Sequence, residues 1–298
     1  MSNQIEIRHL KYFLAVAEDL HFRKAAERLY ISQPGLSRQI KQMEDDLGIQ
    51  LFERHNRKVK LTHVGEYLKF EITKNLKNLS QIINHAKLLQ NGKEGSLTIG
   101  YVGSAIQKII PELLLKFKEN SPNIIFVLKE MDNQKQVENL LLQSIDIGFV
   151  RLDRVPTGLS FRSVLIETFC LVLPKDHPID SSNFKSLSQF KDEYFILFDP
   201  KFSPPYYEKV MRIFDDNDFT PKVSHSTIHA NSIFKLIENN FGISIVPKSL
   251  QMPYYQNVKF IELTDIPQRT TLSAVWDRKN TNPALDDFLK LLKRNNYK

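Results

Sequence analysis

Apolar residues return at intervals of three and four along the first third of the chain, a spacing that predicts helices. Ile7, Leu10, Phe13 and Leu14 mark one over residues 7–16. A second, over 22–29, carries the small pair Ala25-Ala26, which lets a neighbouring helix cross closely. A third begins at Ser32 and turns Leu36, Ile40, Met43 and Leu47 inward until Gly48 stops it as a left-handed cap. "IQLFERHNRKVKLT" then reads as two short β-prone runs around a polar turn at Arg54 to Lys58, a hairpin or wing. Residues 64–89 form one long amphipathic helix without proline, its stripe running through Val64, Leu68, Ile72, Leu76, Leu79, Ile83, Ala86 and Leu89 or Gln90. At ~1.5 Å per residue it is roughly 40 Å long. A stripe of that length calls for a partner, and self-pairing across a dimer is the simplest choice. "NGKEGS", 91–96, is a glycine-bearing linker.

Beyond the linker strands and helices alternate. "SLTIGYV", a helix over 105–120, "NIIFVLKE", a helix over about 133–144 and "DIGFVRL" give a βαβαβ order, hence a parallel sheet with helices on its faces. Strands at "TFCLVLP", "YFILF", "PKVSHST" and "FGISIVP" follow, with helices around 205–216 and 229–239. The chain returns through "TLSAVWD" to a last helix over 284–294. Two sheets joined by crossing strands leave a cleft between them. The fold class is α/β overall, with a small helical unit and wing in front of the long helix.

A chain of 298 residues suits two or three domains. Mean hydropathy is −0.32 and no apolar run is long enough to span a bilayer. The first residues lack a basic-then-apolar leader pattern, so a soluble protein that stays in the cytoplasm is expected. The single cysteine, Cys170, excludes an intramolecular disulfide and a Cys-based structural zinc. It lies in an apolar strand-like run, as an inert buried thiol does, rather than in the exposed, low-pKa setting of a redox sensor. The net charge of +7 is uneven: residues 1–92 hold 15 Lys and Arg against 10 Asp and Glu, the rest 26 against 24. The basic excess points to an anionic partner for the first third.

The third helix is built to meet such a partner. Ser32 is an N-cap, and Pro34 fits the first turn, where its missing N–H is harmless. Gly35 removes a side chain where another backbone could approach. Leu36 and Ile40 anchor the inner face, leaving Gln33, Ser37, Arg38 and Lys41 outward together. A major groove admits such a helix, with Arg reading guanine and Gln reading adenine. The alternative is an ordinary helical pair with solvated polar faces; the basic excess and the wing weigh against it.

The stretch "LKYFLAVAEDLHFRKAAERLYISQPGLSRQIKQMEDDLGIQLFERHNRKVKLTHVGE" resembles the winged helix-turn-helix of LysR-type transcriptional regulators, nearly without gaps. The long helix, the linker and the two-lobed second half match that family in order and length. The resemblance implies a DNA-binding domain over 1–63, a dimerisation helix and hinge over 64–95, and a periplasmic-binding-protein-like effector domain over 96–298. Its first lobe would span about 96–168 and 271–298, its second about 169–270. Gln33, Pro34, Ser37 and Arg38 would contact the major groove and Arg57, in the wing, the minor groove. Lys41 and Arg54 are candidates for phosphate, with a structural ion pair an equal alternative for Arg54. The family implies homodimers or homotetramers on promoter DNA.

In the second half "IGYVGS", "LKEMDNQKQVENL", "IDIGFVRL" and "GISIVPKS" are most similar to the subgroup that senses aromatic acids and muconate. Read from the residues alone, Ser104 ends the first strand and opens a helix, Asn133 opens the next, and Arg151 ends the third strand. Carboxyl ends of parallel strands face the ligand crevice, and helix N-termini with a guanidinium favour a carboxylate. Plain N-capping is the competing role for Ser104 and Asn133, a surface ion pair with Asp153 that for Arg151. The resemblance adds Tyr206 and Ile228, with Phe202 or Pro204 on the same wall. Muconate-sensing relatives open the second helix with Gly-Thr; here it is Asp132-Asn133, an extra acid that points to a monoanionic or neutral effector unless it faces away.

His225 and His229 lie four apart, but no further ligand stands beside them, and "DDNDF" at 215–219 lacks the glycine and terminal glutamate of a calcium loop. No nucleophile elbow or phosphate loop is present. The expectation is a ligand-responsive regulator with no cofactor or metal and no enzymatic activity. The competitors are an architectural DNA-binding protein whose second half only oligomerises, and a solute-binding-fold enzyme with an accessory helical domain.

Overall fold

The structure, a computed structural model, describes residues 5–55, 58–90 and 95–294, with the backbone alone at 54, 55, 58, 85, 88, 89, 293 and 294. Two compact units divide the chain, Met1–Asn84 and His85–Lys298.

In the first unit α1 (Ile7–Asp19), α2 (Phe22–Arg28) and α3 (Gln33–Leu47) are followed by an antiparallel hairpin of β1 (Phe52–His55) and β2 (Lys58–Leu61). Then comes α4 (His63–Gln90), a 28-residue helix. Phe13, Val16, Ala25, Leu36, Ile40 and Leu51 are buried at the centre, and the Phe52 ring packs on Phe13 and Phe22 at 5.6 and 5.8 Å. The hairpin is tied to α3 by Glu44, whose carboxylate accepts the Leu51 and Phe52 N–H groups at 2.8 and 3.1 Å. At the start of α4 a Cβ on Gly65 would stand 2.3 Å from the Leu51 carbonyl oxygen, so that approach requires glycine.

The expectation that the whole stripe of α4 needs an outside partner is corrected here. Leu68, Ile72 and Leu76 pack into the core of the first unit, and Lys69 Nζ donates to the Ala17 carbonyl at 3.0 Å. Leu79, Ile82 and Ile83 are left exposed. The helix packs on its own unit through its first half, which also leaves Val64, Tyr67 and Phe70 exposed, and keeps further apolar surface on its second.

The second unit opens with β3 (Ser96–Tyr101), α5 (Ile109–Asn120), β4 (Ile125–Glu130), α6 (Asn133–Leu141), β5 (Ile147–Val150) and β6 (Leu159–Glu167). It continues with β7 (Phe169–Pro174), β8 (Tyr194–Phe198), α7 (Pro204–Asp215), β9 (Lys222–Thr227), α8 (Ala230–Glu238), β10 (Ser244–Pro247) and β11 (Val258–Leu263). It ends with β12 (Thr270–Asp277) and α9 (Pro283–Arg294). One lobe is a five-stranded sheet in the order β4-β3-β5-β12-β6; the other holds the antiparallel set β10-β7-β11 and the parallel pair β8-β9. The parallel sheet expected from the βαβαβ order is found in β4-β3-β5, and two further strands extend it into a mixed sheet. The pairs β3/β4 and β3/β5 are parallel, but β12 returns antiparallel to both β5 and β6. The chain crosses between lobes twice, at Thr168 and between β11 and β12. Strands β6 and β11 escape the sequence reading: β6 interrupts its alternation with a register shift opposite Leu272 and Ser273.

Candidate nucleic-acid interface and ligand cleft

The cap at the start of α3 has a specific chemistry. Ser32 Oγ accepts the Gly35 N–H at 3.3 Å, and a Cβ at residue 35 would lie 2.9 Å from that oxygen. Gly35 therefore leaves room for the cap hydroxyl. Gln33, Pro34, Arg38 and Lys41 are exposed on the outward face, with Ser37 half-buried among them.

Most cations of the other two helices are already engaged, Lys11 on α1 being the exception among the described residues. Arg23 pairs with Glu27 at 3.1 Å, and Arg28 pairs with Glu18 at 2.7 Å and Asp19 at 3.1 Å. Neither Arg38 nor Lys41 has an ion-pair partner among the described residues. Apart from Lys11 on α1, the free positive charge of the three helices thus sits on this face of α3, where a polyanion could collect it. Arg57 lies outside the described residues, as does the side chain of Arg54, so the wing contacts stay expectations.

In the second unit a cavity of about 60 Å³ is lined by Ser104, Asn133, Arg151, Phe202, Tyr206 and Ile228, six of the residues picked out in the sequence. Pro204 is not on that wall: it starts α7 and is exposed, while Ser203 faces in. Val102, Phe198, Ala230, Pro247 and Leu250 make the rest of the wall mostly apolar. Ser104 does not open a helix: α5 begins only at Ile109, and the turn between leaves the Ser104 side chain facing the cavity.

Arg151 is the hub of the cleft, and it is already committed. Its Nη2 pairs with Glu167 at 2.5 Å and donates to Ser249 Oγ at 3.2 Å. Its Nη1 donates to Thr270 Oγ1 and its Nε to Ser104 Oγ, both at 3.0 Å. Glu167 also accepts from the Ser249 hydroxyl at 3.0 Å and from the Ser249 N–H. Asp153, the expected partner, pairs instead with Lys209. Glu167 closes β6 and Thr270 opens β12, so one guanidinium holds both places where the chain changes lobes.

Asn133 is not a cap; Asp132 is, accepting the Lys135 N–H at 2.7 Å. That settles where the extra acid goes: it is spent on the helix and paired with Lys135 at 3.6 Å. Asn133 brackets the Arg151 backbone, accepting its N–H at 2.9 Å and donating to its carbonyl at 3.2 Å. The same amide donates to Ser203 Oγ of the other lobe at 2.9 Å. The acid that does line the cavity is Glu130, 3.8 Å from His229. Tyr206 spends its hydroxyl on the Ile245 carbonyl at 3.1 Å, and burial pushes its pKa up. Glu130, Glu167 and Ser203 escape the sequence reading because their contacts to His229, Ser249 and Asn133 span 99, 82 and 70 residues of chain.

Cys170 is fully buried, and burial, with Glu262 nearby, pushes its thiol up to about 12. His225 stacks edge-on against Phe241. Among the described residues no group of three or more His, Cys, Asp or Glu side chains is placed to hold a metal ion. No described helix is long and apolar enough to cross a membrane.

A winged helix-turn-helix with a basic face on α3, followed by a two-lobed domain around a small apolar cleft, defines a DNA-binding regulator that carries a substrate-binding domain. Residues 7–66 match the family model "Bacterial regulatory helix-turn-helix protein, lysR family", and residues 90–296 match "LysR substrate binding domain". The chain belongs to the LysR family of DNA-binding transcriptional regulators. It is similar to the HTH-type transcriptional regulator AlsR of Bacillus subtilis (strain 168), 31% identical over 287 residues, 96% of this chain and 95% of AlsR. It is similar also to CatR of Pseudomonas putida, 35% identical over 262 residues, 88% of this chain and 89% of CatR. The crystal structure of full-length CbnR complexed with its target DNA has the same fold, with a TM-score of 0.71 and 26% identity. The match covers 97% of this chain and 99% of that one. These relatives regulate transcription; none is an enzyme, which removes the solute-binding-fold enzyme from consideration.

Proposed function

We propose that this regulator switches transcription when its cleft takes up a small organic acid, acting in the cytoplasm as a homodimer or homotetramer on double-stranded promoter DNA. The observation that carries the reading is the gathering of Ser104, Asn133, Arg151, Phe202, Tyr206 and Ile228 around one cavity. Residues 1–63 would read DNA, 64–95 would pair and hinge, and 96–298 would sense the ligand. The exposed Leu79, Ile82 and Ile83 of α4 offer the pairing surface.

A carboxylate finds its donors in the Ser104 hydroxyl and in the first turn of α8. There Ala230 lines the cavity, and no side chain caps the helix. Arg151 contributes by fixing Ser104, since its own charge is balanced by Glu167. The apolar wall suits the body of an aromatic or aliphatic acid, in keeping with the resemblance to the aromatic-acid subgroup. The cavity of about 60 Å³ is less than half of the ~150 Å³ that accommodates a benzene in a protein interior, so an aromatic ring enters only as the lobes part. Parting them breaks the Asn133–Ser203 bond, the Lys209–Asp153 pair and the 2.7 Å bond from the Tyr254 hydroxyl to Gln107. The change in lobe angle would re-space the paired reading helices along the duplex.

The test is a thermal-shift screen of the full-length protein against monocarboxylates of increasing size, repeated on Ser104→Ala. A binding acid raises the melting temperature of the wild type. Ser104→Ala should need roughly tenfold more of it, for loss of about one hydrogen bond, with unliganded DNA affinity unchanged. Equal responses from both proteins would remove Ser104 from the ligand site.

A further inference from the structure

Among the described residues five other than glycine hold a left-handed backbone: Leu20, Tyr30, Gln143, Asp218 and Asn240, with φ from 46° to 60°. Asp and Asn adopt this conformation readily; Leu, Tyr and Gln pay sterically for a Cβ crowded against the following carbonyl. Leu20 closes α1 with its side chain half covered, and Gln143 Nε2 reaches Asp277 at 3.5 Å. The side chain of Tyr30 is 95% exposed and makes no hydrogen bond or ring contact among the described residues. The backbone around it ends α2 in a Schellman turn: Tyr30 N–H donates to the Glu27 carbonyl at 3.2 Å and Ile31 N–H to the Ala26 carbonyl at 3.0 Å. That position is one where glycine serves the fold best. An aromatic side chain placed there, touching nothing in its own unit, has its use outside it.

We propose that the Tyr30 hydroxyl donates a hydrogen bond to a backbone phosphate of the bound duplex, at the edge of the groove that α3 enters. Tyr30 stands two residues before the cap of α3, next to the exposed Gln33 and Pro34. When a recognition helix enters a major groove by its N-terminus, the turn before it lies over the strand bordering that groove. Tyrosine hydroxyls are among the common phosphate donors, and such contacts set register without reading sequence. Ile31, packed against the core, anchors the turn, and the left-handed backbone fixes the direction in which the ring leaves it.

The experiment uses the full-length protein, a duplex that it selects from a random pool, and an unrelated duplex of equal length. Tyr30→Phe should weaken binding to both by the same factor, about three- to tenfold per half-site for one neutral hydrogen bond. The slope of log affinity on log salt should not move, because a neutral donor displaces no counterion. Tyr30→Gly should bind no better than Tyr30→Phe yet melt at a higher temperature than the wild type. Wild-type affinity of Tyr30→Phe for both duplexes overturns the proposal. So does a loss confined to the selected duplex, which would mark a base contact, or a lower melting temperature for Tyr30→Gly, which would make Tyr30 a structural residue.

Discussion

The outward face of α3 and the wall of the cleft are both furnished with polar side chains, yet they differ in what those side chains have left to give. On α3 the cations Arg38 and Lys41 are unpaired among the described residues and exposed. In the cleft Asn133, Arg151 and Tyr206 are buried and already bonded to the protein itself. A surface that meets a long polyanion can leave its donors in water until binding, because hydration keeps them satisfied. A closed cleft has no such reserve, and an unmet donor there would cost the fold directly. On the proposed reading the interface would be preformed, whereas the cleft would have to exchange internal bonds for ligand bonds.

The largest effect that would break this contrast is expected at Glu167. Glu167→Leu leaves Arg151 buried without its counter-charge, and urea unfolding should show a loss of about 3–5 kcal/mol. The double variant Arg151→Met with Glu167→Leu should recover much of it, since no lone charge remains. A single variant as stable as the wild type would mean that the pair holds nothing together.

Next in size is Arg38→Ala, which should cost about 1–3 kcal/mol per half-site and relax base preference, as measured by competition between selected and random duplexes. Lys41→Ala should instead weaken both duplexes alike and lower the salt slope by about one per contact. If the two variants behave identically, α3 is a general cationic face and not a reading one.

The smallest effect concerns Cys170. Its folded thiol is held neutral up to about 12, against an ordinary value of ~8.5. A raised folded value means that the stability tied to the neutral thiol is fully present below pH ~8.5 and is lost as pH climbs towards 12. Native protein should thus resist a thiol reagent at pH 8 and react once unfolded. The stability advantage over Cys170→Ala should also shrink through the alkaline range. Rapid labelling of native protein would place the thiol at the surface.

What the sequence revealed follows the range of the interactions involved. The three helices, the Ser32 cap and the stop at Gly48 are written in three- and four-residue steps, and the structure places them within a few residues of expectation. The cleft was legible at strand ends, where Ser104, Asn133 and Arg151 fall in parallel-sheet positions. Their bonding was not, because the partner of Arg151 lies 16 residues on in a strand that period-two alternation does not reveal. The division of the α4 stripe, with Leu68, Ile72 and Leu76 packed and Leu79, Ile82 and Ile83 bare, was equally hidden, since a uniform stripe of apolar residues does not say which neighbour covers which turn.

That division has a mechanical meaning. Leu68, Ile72 and Leu76 weld the first turns of α4 to the three-helix core, and Lys69 adds a clasp to α1. The shaft and the reading head therefore rotate together, with no soft joint to absorb torque. On the proposed pairing, any tilt imposed on the bare end would be delivered to α3 as the same tilt, and the choice of DNA spacing would become a matter of steering a rigid lever.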